Sequence, residues 1–163
     1  MRGLLLGIGV PLLLLLAIQL VPYGRDHAPP APGPPLAWDS PRTLALARRA
    51  CFDCHSNETR WPWYASIAPL SWRVQTDVNR ARAVLDFTAF DPRNPRMAKA
   101  AGKAADEVTR RDMPPQDYIQ MHPEARLNGA DNQALAAGLD STFAAYAARS
   151  ERGRLRGETA APK

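Results

Sequence analysis

Both cysteines of the 163-residue chain stand three positions apart, and a histidine follows the second at once: Cys51-Phe52-Asp53-Cys54-His55. Residues i and i+3 share a face on a helical turn. Two thiols so placed reach two points along one side of a flat ligand, and the next side chain lies beneath it. This is the attachment signature of c-type haem, with thioethers from Cys51 and Cys54 to the two vinyl groups and the His55 imidazole on iron. Other uses of the pair fit less well. A redox CxxC follows a strand in an α/β pattern, and no strand alternation is present. A structural zinc needs four ligands, and beyond the pair only His27, His122 and the methionines remain. An unmodified pair would be an oxidation liability in an exported chain. The reading is one covalent haem c per chain.

A second axial ligand must come from Met113, Met121, His122 or His27. Met113 precedes Pro114 and Pro115, which stiffen the loop and fix the direction of the thioether. Met/His ligation raises the reduction potential and suits an electron carrier. Met113 is therefore the expected ligand and His122, in Gln-Met-His-Pro, the alternative. An open sixth site with Met113 nearby but unbound is also open. His27 is expected to be solvated.

Trp61-Pro62-Trp63-Tyr64 and Pro69-Leu70-Ser71-Trp72 follow the motif directly. Trp61, Trp63, Tyr64 and Trp72 are expected to wall the porphyrin. Indole N–H groups and the Arg60 guanidinium are expected to meet the haem propionates. Pro62 or, preferably, Pro69 is expected to accept from Nδ1–H of His55, which would fix its tautomer and strengthen it as a donor.

The rest of the chain divides around this site. From Gly3 to Pro22 there is no charge and only Gln19 is polar, close to the roughly 20 apolar residues that cross a bilayer. No A-x-A-like cleavage site follows Leu20, so residues 1–22 read as an uncleaved transmembrane anchor rather than a signal sequence. Residues 23–38, with Ala-Pro-Pro-Ala-Pro-Gly-Pro-Pro at 28–35, read as a stiff spacer. At about 3 Å per residue it would hold the domain roughly 30–45 Å from the span. Residues 39–149 form the domain. Asp39 or Ser40 caps a helix starting at Pro41, with Leu44, Ala47 and Cys51 inward. A second begins at Ser71, with Val74, Val78, Ala81 and Leu85 on one stripe. A third runs from about Arg96 to Arg111 through Met97, Ala101, Ala104, Ala105 and Val108. A last starts at Asn128 or Asp131 and turns Leu135, Leu139, Phe143 and Tyr146 inward. Residues 150–163 read as a basic flexible tail. The net charge of +5 is modest, and no nucleic-acid motif is present.

Three strings, CFDCHSNETRWPWYASIAPLSW, DVNRARAVLDF and MPPQDYIQMHP, closely resemble the bacterial haem-binding domain family, and the resemblance covers roughly residues 36–140 plus the N-terminal anchor. The resemblance implies an all-α, cytochrome-c-like domain around one haem, anchored in the inner membrane with its N-terminus cytoplasmic and its haem domain periplasmic. It places Cys51, Cys54 and His55 on the attachment motif and Met113 on the family's MPP segment. The stretch Asp91–Lys103 departs from the family in being richer in Ala and Arg.

The expected function is single-electron transfer by a membrane-tethered monohaem cytochrome whose redox partner the sequence does not name. No catalytic acid–base pair, nucleophile or phosphate loop argues for an enzyme. Two alternatives remain: a haem sensor or small-ligand binder with a weak sixth ligand, and a peroxidase-like enzyme with His122 and an Arg on the distal face.

Overall fold

Ser40 and Pro41 start the first helix of the domain. The Ser40 hydroxyl accepts from the amide of Thr43 at 3.2 Å, and Pro41 has no N–H to leave unsatisfied in the first turn. The computed structural model describes residues 2–31, 33 and 36–155, and those residues are all-α with no strand. Helix α1 (Arg2–Ile18) precedes the domain; α2 (Pro41–Ala50) is followed by the short haem-motif helix α3 (Phe52–His55) and then α4 (Leu70–Val84). After these come α5 (Pro95–Ala101), α6 (Ala104–Thr109), α7 (Gln116–Met121) and the long α8 (Gly129–Leu155). Turns of 3-10 helix lie at Trp63–Ser66 and Pro123–Ala125.

The core sits where α8 crosses α2 and α6. Leu135, Ala136, Leu139 and Phe143 of α8 meet Leu46, Ala47 and Ala50 of α2, Val108 of α6, and Phe52, Phe87 and Phe90. The inward positions expected from helical spacing on α8 are thus in the core or packed against it. The helix continues through residues 150–155, the first part of the expected tail, while 156–163 lie outside the described residues.

Two helices differ from expectation. The single helix expected over 96–111 is broken into α5 and α6 at Gly102-Lys103. Lys103 N bonds back only three residues, to Ala100 O at 3.0 Å, which tightens the last turn and ends it. Glycine there is a weak helix former. Residues 116–121, beyond the proline pair, form α7, which periodicity over so short a stretch does not reveal.

The N-terminal segment differs more. Helix α1 has 17 residues and ends at Ile18, so at about 1.5 Å per residue it is roughly 25 Å long, short of the ~30 Å hydrocarbon layer. Among the described residues no helix is long and apolar enough to cross a membrane, which leaves the expected transmembrane helix without support. The physical reason is Gln19. Its side-chain amide leaves the apolar run to grip the backbone of Ala68, donating to its carbonyl at 2.8 Å and accepting from its amide at 3.0 Å.

The proline-rich stretch does not stand the domain off either. Gly24, buried at φ +77°, packs against the Ser71 backbone, and Tyr23 Oη pairs with Thr76 Oγ1 at 3.2 Å. Gly33 N donates to Thr88 O at 2.8 Å, and Leu36 enters the core. Residues 32, 34 and 35 lie outside the described residues; the described ones on either side find partners along the domain, so this segment runs across the domain instead of away from it.

Candidate functional site

Cys51, His55 and Met113 line one cavity of about 490 Å³. Its buried wall is Leu85, Phe87, Val108 and Leu139, and its exposed rim includes Val84, Arg96, Lys99, Lys103 and Met113. The elements that shape it are α3, the end of α4 and the loop after it, α5, α6, and α8.

His55 is held at several points by that loop. Its Nδ1 lies 2.8 Å from Leu85 O. A carbonyl only accepts, so Nδ1 carries the proton and Nε2 keeps its lone pair. Phe87 N donates to His55 O at 2.8 Å. The adjoining Ser56 carbonyl accepts from Arg82 Nε at 2.7 Å, and Arg82 Nη2 donates to Thr59 at 2.8 Å. Burial holds His55 below the ordinary imidazole value, so it is neutral at pH 7, the form that binds a metal. The expected acceptor, Pro62 or Pro69, is replaced by Leu85. Pro69 instead precedes α4, where its carbonyl accepts from Trp72 N and Arg73 N. Helix α4 must end for the chain to expose a carbonyl sideways, and it ends at Val84, with Leu85 capping it in extended conformation.

Asp53, between the two cysteines, is buried and saturated with donors. Arg60 gives it N at 3.0 Å and Nε and Nη2 at 3.3 Å each, and Tyr118 Oη gives it 2.7 Å. A carboxylate taken out of water needs such replacement. Arg60 is thereby committed to Asp53. It does not line the cavity, which corrects its expected place on the propionates.

The expected aromatic wall is also elsewhere: Trp61, Trp63, Tyr64 and Trp72 do not line the cavity. Trp61 stacks on His27 at 4.1 Å between centroids, 3° from parallel. His27, expected to be solvated, is half-buried there, with Nε2 near Gly24 O and Ala65 O at 3.1 and 3.2 Å. Trp63 is 78% exposed. Trp72 Nε1 is buried without a partner among the described residues. Tyr64 Oη pairs with His122 Nε2 at 3.1 Å. These aromatics receive the N-terminal segment and the region after α7, surfaces that a linear reading cannot see approaching.

His122, the alternative ligand, lies outside the cavity lining. Its Nδ1 faces Glu124 at 3.2 Å, Tyr64 occupies its Nε2, and its ring stacks on Tyr118 at 4.4 Å. A peroxidase-like site would need this histidine on the distal face. Met113 sits in the rim, 38% exposed, its amide bonded to Glu107 O at 3.2 Å.

Cys51 and Cys54 are free thiols, each half-buried. Cys51 faces the cavity. Cys54 lies at the other end of the turn, within reach of the charges of Asp53, Asp77, Arg82 and Asp117. Burial, with Cys54 beside it, pushes the Cys51 thiol up to about 12, and burial with the Asp53 charge pushes Cys54 up to about 11. Both stay protonated at neutral pH and are weak nucleophiles once the chain is folded.

The donor set and the cavity fit haem: a neutral imidazole with a free Nε2, a thiol at the wall, a thioether at the rim, and an apolar slot within the usual size range of small-molecule sites. Sequence reasoning missed Leu85, because any residue offers a carbonyl. It also missed Arg96, Lys99 and Lys103, although their i, i+3, i+7 spacing was a readable signal. No curated protein and no solved structure matches the chain. The family model described as haem-binding domain matches residues 13–141, and the chain belongs to this haem-binding domain family.

Proposed function

We propose that the domain is a membrane-tethered, periplasmic monohaem c-type cytochrome that passes single electrons. The observation that carries this reading is one apolar cavity lined by both His55 and Met113, with Nδ1 of His55 tied to Leu85. Cys51 and Cys54 would hold the haem as thioethers, each S–H adding across one vinyl group. His55 Nε2 and Met113 Sδ would hold its iron. Haem, when bound, supplies a metal centre that gains and loses one electron. The chain's own part is to orient His55 through Leu85 and Phe87 and to exclude water with Phe87, Val108 and Leu139. An apolar wall and a thioether ligand both disfavour the more charged, oxidised state, so they raise the potential.

The tether reading rests on α1, whose described side chains include exposed Ile8, Val10 and Leu12 to Leu16. A helix apolar all round suits an apolar medium. Its length short of a full span is compatible with local thinning of the bilayer.

The test is the mature protein from bacteria able to export it and attach haem. A mass greater than the polypeptide by one haem, and a ferric far-red sulfur-to-iron band, are the expected results. A polypeptide mass with no added haem overturns the covalent reading. A second reading, a small-ligand binder, is favoured by the exposure of Met113 at the rim. Immediate uptake of carbon monoxide by the ferrous protein, with no far-red band in the ferric one, would select it over the carrier.

A further inference from the structure

Arg96, Lys99 and Lys103 lie in the Ala- and Arg-rich stretch Asp91–Lys103. Arg96 and Lys99 share one side of α5, Lys103 stands at the break just after it, and all three line the rim of the cavity. All three are exposed. No ion pair among the described residues uses any of them. Glu107 also lines the cavity, but its carboxylate is taken by Arg110 at 2.9 Å. The buried part of the lining is apolar: Leu85, Phe87, Val108 and Leu139. An apolar slot with a cationic rim selects a flat hydrophobic ligand that carries carboxylates on one edge, entering with that edge outward. Arg60 is spent on Asp53.

We propose that Arg96, Lys99 and Lys103 form the carboxylate-binding edge of the haem site, with the propionates of the thioether-held cofactor meeting them at the solvent-facing rim. This rests on the haem site proposed above. Charge–charge attraction at a partly wet rim is moderate, so the three act as a set. Their positive charge also disfavours the oxidised iron, and the set raises the reduction potential.

The test uses the full-length holoprotein carrying Arg96→Gln, Lys99→Gln and Lys103→Gln together. Resonance Raman reads the propionate bending bands, and a redox titration reads the midpoint potential. The bands are expected to shift and the potential to fall, whereas Arg60→Gln and Trp72→Phe leave the bands in place. Unmoved bands in the triple variant overturn the proposal, even if the potential falls, because the cations then act only through space. Bands that move with Arg60 or Trp72 instead also overturn it. If the triple variant fails to load haem, Lys99→Gln and Lys103→Gln singly carry the test. Each is expected to give a partial shift, and no shift in either overturns the proposal. The far-red band, followed in the same samples, reports on Met113 separately, so a wrong axial ligand and a wrong carboxylate edge are told apart.

Discussion

Tyr118 Oη donates to Asp53 Oδ2 at 2.7 Å, which ties the turn between the two cysteines to the helix that follows Met113. The two residues are far apart in sequence, and the bond is half-buried. Burial and the Asp53 charge keep the Tyr118 hydroxyl protonated far above neutral pH, so it is a donor throughout the working range.

Tyr118→Phe removes this donor and leaves Asp53 with Arg60 alone. A hydrogen bond to a buried charge is worth about 2 kcal/mol. The urea midpoint is expected to fall by that equivalent with an unchanged slope. The far-red band is expected to weaken as the Met113 segment loosens. A full-strength band with a lowered midpoint would show that Tyr118 supports the fold and not the ligand loop.

Met113→Ala is expected to abolish the far-red band and let the ferrous protein bind carbon monoxide. His122→Ala is expected to leave the spectrum unchanged, since both ring nitrogens of His122 are engaged with Tyr64 and Glu124. Optical titration of the two variants side by side decides between them. A changed spectrum in the histidine variant alone assigns the ligand the other way.

The helices were legible because α2, α4 and α8 carry strong caps or long apolar stripes, and one face of α8 supplies the core. The chemical motif was legible because CxxCH is local. What stayed hidden was nonlocal. The sequence marks Arg60 as a cation near the motif, but only the fold shows that Asp53, seven residues earlier, takes it. Gln19 reads as a lone polar residue in an apolar run, but its partner is the Ala68 backbone, 49 residues on. Leu85 acts through its carbonyl, which no side-chain pattern encodes. Arg96, Lys99 and Lys103 were readable as one helical face, yet nothing local says that the helix breaks before Lys103 or that a cavity lies beneath these cations.

Gln19→Ala is expected to free the N-terminal helix from the domain. Both backbone groups of Ala68 lose their partners, and a side chain without the amide offers no replacement. Hydrogen exchange of the Ala68 amide is expected to accelerate at least tenfold, while the amides of α8 stay protected. Unchanged protection at Ala68 would mean that Gly24 and His27 hold the segment without Gln19.

Chain made without haem attachment tests the state of the thiols. Free Cys51 is pushed up to about 12, so its thiolate fraction at pH 7 is very small and rises about tenfold per pH unit. Iodoacetamide labelling of Cys51 is expected to be slow at pH 7 under native conditions and to climb with pH up to that value. In urea, where burial is lost, labelling is expected to be faster at the same pH. Equal rates with and without urea would show that the thiol is not buried before attachment.

Gly138 lies where α8 crosses α2, and a Cβ there would overlap the Thr43 side chain. Two effects of Gly138→Ala oppose each other. Alanine favours the helix by about 1 kcal/mol, whereas overpacking a closed contact costs roughly 1–3 kcal/mol. Thr43 decides which wins. It is buried, 3% exposed, and its Oγ1 is fixed by Ser40 Oγ at 2.9 Å, so it cannot swing aside without loosening the α2 cap. The clash therefore dominates, and Gly138→Ala is expected to be destabilising by about 1–2 kcal/mol in urea unfolding. Adding Thr43→Ala removes the Oγ1 and Cγ2 atoms that the new methyl meets. The double variant is expected to be more stable than the sum of the two single changes predicts. A Gly138→Ala protein more stable than the parent would mean that the two helices separate at little cost, and with them the wall that carries Leu139.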